Sequence, residues 1–140
     1  LPQAVKSGQI YAATGQEGAA YVTREDCARA ASVALASNDT TNKTLDITGG
    51  ETVDGEKLAQ ILSEVVGKKI TFVPITLDQV KGGLLASGMP PFVAELLASF
   101  DDYIARGHLS KLSNAYTKLT NKQPQSVKDF LAANRSQLIG

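Results

Sequence analysis

The chain has 140 residues, with fourteen basic and fourteen acidic side chains, one histidine and one cysteine. A formal charge of zero lacks the basic excess of nucleic-acid and anionic-membrane binders, and one Cys with one His builds neither an internal disulfide nor a protein zinc site. Hydrophobic residues at 43% and charged residues at 20% describe a globular chain, no apolar run approaches the ~20 residues of a membrane span, and the absence of a signal-peptide pattern points to a cytoplasmic protein.

In chain order, Ile10-Tyr11-Ala12-Ala13 reads as a short strand, and Gly15-Gln16-Glu17-Gly18 supplies a turn. Ala19-Ala20-Tyr21-Val22 then reads as a second strand. Thr23, with Asp26 three positions on, marks a helix start as a structural cap. That helix runs to about Ser37, with a small flank of Cys27, Ala31, Ala34 and Leu35 suited to packing on a sheet. Residues 44–48 (Thr-Leu-Asp-Ile-Thr) read as a strand closed by Gly49-Gly50. A helix from near Val53 carries Leu58, Ile61, Leu62 and Val65 on one face and stops at Gly67. Residues 69–74 form the next strand, ended by Pro74. Thr76 and Gln79 make a capping box for a helix that Gly88 closes. Pro90-Pro91 opens a helix bearing Phe92, Leu96 and Phe100 and ending at Gly107. A turn region around Leu109, Leu112, Tyr116 and Leu119 precedes a closing helix capped by Ser126. The expected order is β-β-α-β-α-β followed by helices, too few strands for a complete doubly wound sheet.

The residues offer few candidates for chemistry. Residues 12–18 (Ala-Ala-Thr-Gly-Gln-Glu-Gly) have the outline of a dinucleotide-binding glycine loop. Ala12 stands where the tight turn needs Gly, and the helix signal at Thr23 comes too late to aim a helix N-terminus at phosphate. A turn between two strands is the better reading. The cluster at residues 23–26 lines a pocket or simply caps a helix, and capping alone accounts for Thr and Asp. Cys27 is expected to be buried packing rather than a nucleophile, His108 has no identifiable catalytic partner, and Asp101-Asp102 point to different sides of a helix. Neither Tyr-x-x-x-Lys nor Gly-x-Ser-x-Gly occurs. No catalytic, cofactor-binding or metal-ligating set is expected.

The ordered motifs do carry a resemblance. Residues 18–31 (Gly-Ala-Ala-Tyr-Val-Thr-Arg-Glu-Asp-Cys-Ala-Arg-Ala-Ala), then Leu45-Asp-Ile-Thr-Gly-Gly, the helix ending Val-Val-Gly67-Lys, and the tail with Gly107-His-Leu, Leu119-Thr120, Pro124-x-Ser126 and Phe130 resemble the NmrA-like atypical short-chain dehydrogenases. They come nearest to the subgroup of NAD(P)H:quinone oxidoreductase type 2 and triphenylmethane reductase. The resemblance implies an α/β chain: the C-terminal part of a Rossmann-like NAD(P)-binding fold, over residues 1–67, plus a small, mostly helical substrate-side subdomain over residues 68–140.

It further implies a parent that uses NADP or NAD to reduce a quinone-like or other planar substrate, while this chain alone holds no cofactor and is inactive. Met89, Pro90 and Phe92, in an apolar loop between helices, are the candidate wall of the substrate pocket, with a proline-started helix turn as the plainer reading. Two alternatives stay open: a dinucleotide-sensing regulator without turnover, and a self-contained interaction module. The expected partners are the missing N-terminal half of the parent or a second copy of the chain, as a homodimer, with no nucleic acid and no membrane.

Overall fold

A computed structural model describes residues 1–39 and 41–139. Along the chain run α1 (Pro2–Ser7), β1 (Gln9–Ala12), α2 (Arg24–Ala36), α3 (Gly55–Val66), β2 (Thr71–Pro74), α4 (Leu77–Ala86), α5 (Pro91–Ala105), α6 (Ala115–Thr120), α7 (Val127–Ala133) and α8 (Arg135–Ile139). β1 and β2 pair in parallel, Gln9 opposite Thr71 and Ala12 opposite Pro74. This pair makes the one sheet among the described residues. It joins positions on both sides of residue 67.

The core is built around α3. Its apolar spacing places Ala59, Ile61, Leu62 and Val66 inward, where they meet Val5, Ile10, Val53, Ile70, Leu131 and Leu138. Asp54 starts this helix by accepting the Lys57 N–H at 2.7 Å, and Gly67 ends it with φ 75°, a left-handed conformation that a side chain would oppose. Gly55 has no room for a Cβ, because one would lie 2.4 Å from the Phe72 ring. α7 and α8 cover α3. α4 begins with both halves of the Thr76–Gln79 capping box formed and packs on α5, to which Lys81 reaches across to Glu95 at 2.8 Å.

Several expected elements differ. Residues 19–22 and 44–48 do not form ladders; the first contributes a single antiparallel bridge, Ala19 to Val53. Strand composition is satisfied as a strand only when a neighbour accepts and donates its backbone bonds, and the described chain supplies none beside residues 44–48. Pro2–Ser7, ahead of the first expected strand, is a helix started by Pro2 and stopped by Gly8 at φ 77°. Residues 115–120, read as turn, are helical, and Asn134 divides the closing helix from α8.

The small face of α2 does not meet a sheet. Asp26 and Ala30 are its buried positions, one turn apart and turned to α6, so Cys27, Ala31, Ala34 and Leu35 fall on the outer side. Cys27 is exposed, contrary to the buried packing expected, and Leu35 is 89% exposed.

Candidate functional site

Two concavities meet at Tyr21. The larger is an open groove of about 560 Å³ between residues 19–22, residues 45–48 and the segment His108, Leu109 and Lys111. The smaller, about 100 Å³, lies at the carboxyl end of β1 and includes Ala12, Thr14, Glu17, Tyr21, Asp54 and Asp101 in its lining. In α/β folds with parallel strands, the carboxyl ends of the strands are where ligands bind.

The small cleft is shaped by two connections. The Ala13 N–H donates to Asp101 Oδ2 at 2.8 Å, tying the turn after β1 to α5. Asp102 faces elsewhere and pairs with Arg106 at 2.9 Å. Burial, and then the negative charge of Asp101, push the Tyr21 phenol above its ordinary value. Thr14 is 7% exposed and its Oγ1 has no hydrogen-bond partner among the described residues. Neither Tyr21, Thr14 nor Glu17 stood out in the sequence as a site residue. Their signal was position after a strand end, which spacing alone did not mark.

The glycine-rich stretch has a structural explanation. Gly15 turns the chain at φ 64°. A Cβ on Gly18 would sit 2.8 Å from the Val53 carbonyl carbon, so its absence lets Ala19 and Val53 exchange backbone bonds of 3.1 and 3.0 Å. α2 then starts at Arg24, where Thr23 Oγ1 accepts the Asp26 N–H at 3.0 Å. That N-terminus carries Glu25 and Asp26 in its first turn, and two carboxylates there oppose a phosphate. The residues present do not fit a pyrophosphate cradle. Thr23→Ala removes this cap, and we expect a loss of about 1 kcal/mol in denaturant unfolding; unchanged stability would count against the assigned helix start.

Asp26 is buried as well as N-terminal. Its Oδ1 accepts the Tyr116 hydroxyl at 2.6 Å, and its Oδ2 accepts the Gln125 N–H at 2.9 Å and the Thr23 hydroxyl at 3.0 Å. It thus joins α2, α6 and the segment before α7. Met89, Pro90 and Phe92 lie at the α4–α5 turn and are exposed, Phe92 by 74%. They are not among the residues lining either concavity. His108 borders the groove with its ring against Tyr103, centroids 4.5 Å apart. Among the described residues no group of three or more His, Cys, Asp or Glu could hold a metal ion, and no helix is long and apolar enough to cross a membrane.

The chain's likeness to known proteins concerns its whole length rather than one site. It matches 97% of its residues to the triphenylmethane reductase of Citrobacter sp. solved in complex with NADP(H), at 32% identity and a TM-score of 0.88, covering 46% of that chain. That protein and the chain's other structural neighbours are NAD(P)-binding, Rossmann-like oxidoreductases, and the chain is similar to a part of their fold. A second structure, the NADPH-dependent quinone oxidoreductase of Escherichia coli complexed with NADPH, matches over 99% of this chain and 48% of its own, with 26% identity and a TM-score of 0.88. Agroclavine dehydrogenase of Claviceps fusiformis is 31% identical over 127 residues, 91% of this chain and 44% of that protein. No family profile matches. The chain therefore spans just under half the length of these relatives, and the family resemblance read from the ordered motifs agrees with them.

Proposed function

We propose that this chain is the substrate-side portion of an NAD(P)-dependent oxidoreductase that reduces a quinone-like or other planar substrate in the cytoplasm. The observation that carries this reading is the overlay of nearly the whole chain on a family member solved with NADP(H). The carboxyl-end cleft with its protonated Tyr21 supports it. The residues of this chain do not build a dinucleotide cradle, so the cofactor belongs to the portion of the family fold that the chain does not match. The chain's own work is to position the substrate and keep water from it. Met89, Pro90 and Phe92 are the proposed wall, an exposed apolar rim of the kind that a planar ligand or a covering segment completes.

The test is to titrate NADPH and NADH into the chain alone and into a chimaera that joins it behind the unmatched portion of the Citrobacter triphenylmethane reductase. We expect no saturable binding by the chain alone, and binding with quinone reduction by the chimaera. Saturable binding by the chain alone, lost on Gly15→Val, would restore the phosphate-loop reading. Binding by the chimaera without turnover of any quinone or dye would make it a dinucleotide sensor.

Unaccompanied, the chain leaves the α5 stripe of Phe92, Leu96 and Phe100 exposed along one face. Exposed apolar patches of this kind draw partners. Sedimentation at several concentrations is expected to show reversible self-association, weakened by Phe92→Ser with Phe100→Ser. A strictly monomeric chain that unfolds cooperatively would instead favour the self-contained interaction module.

A further inference from the structure

The small cleft at the carboxyl end of β1 is lined by three acidic side chains, Glu17, Asp54 and Asp101, and by no lysine, arginine or histidine. Among the described residues, none of the three takes part in an ion pair. Their partners are backbone amides: Asp101 Oδ2 accepts the Ala13 N–H at 2.8 Å, and Asp54 Oδ1 accepts the Lys57 N–H at 2.7 Å. The second oxygen of each aspartate, and both oxygens of Glu17, accept no hydrogen bond among the described residues. Thr14 belongs to the same lining. It is buried, at 7% exposure, and its Oγ1 has no partner among the described residues, a state that buried hydroxyls rarely keep.

The two observations ask for one occupant, with positive charge for the carboxylates and a donor for the threonine oxygen. Water satisfies Thr14 and leaves the charges unbalanced. A metal ion fails, because no group of three such side chains among the described residues could hold one. An anion fails as well. α3 begins at the cleft with Gly55, but its dipole offers only about half a positive charge against three carboxylates, and Asp54 already caps it. An organic cation meets both demands, since a guanidinium spreads five N–H donors over a plane and so reaches acceptors too dispersed for a single metal ion.

We propose that this cleft binds a small organic cation, whose guanidinium or ammonium head donates to Thr14 Oγ1 and to the unused oxygens of Asp101 and Glu17. The volume of about 100 Å³ holds roughly three water-sized groups, enough for such a head and too little for a fused ring system. Val53, Leu58 and Ile104 in the lining receive a short alkyl part. The ligand bridges separate elements. Asp101 stands on α5, Thr14 and Glu17 on the turn after β1, and Glu17 reaches the end of α5, where a Cβ on Gly107 would lie 3.5 Å from its Oε2. The site goes beyond the proposed function and does not depend on it, because every group it uses belongs to this chain.

The test is to titrate methylguanidinium, and its neutral isostere methylurea, into the chain at constant ionic strength while following amide chemical shifts by NMR. We expect saturable, millimolar binding of methylguanidinium that moves the amides of Ala13, Thr14 and Glu17, and no saturable response to methylurea. Thr14→Val should weaken the binding about ten-fold, as loss of a hydrogen bond to a charged group does. Glu17→Gln, on an exposed side chain whose loss spares the fold, should weaken it about three-fold. Asp101 is left intact because it also holds Ala13. The tripeptide Gly-Arg-Gly separates two sources of the same head group. Tighter binding than methylguanidinium assigns the site to an arginine side chain of another protein segment, and equal or weaker binding assigns it to a free small molecule; both uphold the site. Equal responses to methylguanidinium and methylurea, shifts confined to other parts of the chain, or binding unchanged in both variants would overturn it and leave the cleft to water.

Discussion

Asp26→Ala is expected to destabilise the chain by about 3 kcal/mol, because it removes an ionised acceptor and leaves the buried Tyr116 hydroxyl and the Gln125 N–H without a partner. Tyr116 is 1% exposed, so water does not replace the lost bond. Burial pushes the Asp26 carboxyl upward, but the hydrogen bonds from Tyr116, Gln125 and Thr23, with the charge of Arg29, outweigh it and hold the group below its ordinary value. The sign of the pH dependence follows. A lowered folded-state value means that the contribution is full above the unfolded carboxylate value, about 4, and is lost as pH falls through the lower folded value. Tyr116 behaves oppositely: its bond to Asp26, with burial, raises the phenol, so its contribution is full below about 10 and is lost as pH rises through the higher folded value. Tyr116→Phe should cost about 1.5 kcal/mol and flatten the acid limb of stability. Denaturant unfolding of both variants between acid and neutral pH checks this; an Asp26→Ala protein as stable as the parent chain would remove Asp26 from its joining role.

The local punctuation of this fold was legible because it depends on neighbours in sequence. Thr76 with Gln79, Ser126 with Asp129, Gly67 and Gly88 are set by capping and by left-handed turns, which need no tertiary knowledge. The strands were less legible. Residues 9–12 and 71–74 pair because they lie beside each other in the fold, whereas residues 44–48 have equal strand character and no paired strand among the described residues. Composition records a residue's fitness for a sheet and not whether a sheet is there. The candidate site shows the same limit. Asp101 looked like one of two neighbours pointing to different sides of a helix, yet it fixes the Ala13 amide 88 positions away in sequence, and Asp26 looked like an ordinary cap residue, yet it reaches Tyr116 across 90. Cys27 was misplaced for a related reason: the helix turns its Asp26–Ala30 line inward, drawn by a polar hub, and not its alanine-rich flank.

Gly49→Ala is expected to be among the most damaging single-methyl additions in the chain. A Cβ at this position would lie 2.1 Å from the Tyr21 carbonyl oxygen and 3.0 Å from its carbonyl carbon. The obstacle is backbone, which cannot swing aside as a side-chain tip would, so the two segments must separate. Separation breaks the Gly49 N–H to Ala20 O bond of 3.1 Å and disturbs the bridge of Ala19 with Val53 next to it. Overpacking of this kind costs about 1–3 kcal/mol, and the lost backbone bond adds roughly 1 kcal/mol. Gly50 provides the contrast within the same dipeptide: its Cβ would make an ordinary contact with the Pro124 ring, at 3.5 Å. Gly50→Ala should therefore leave unfolding near that of the parent chain while Gly49→Ala lowers the midpoint sharply. Equal effects at the two glycines would show that the close approach of Tyr21 to Gly49 does not hold the groove in shape.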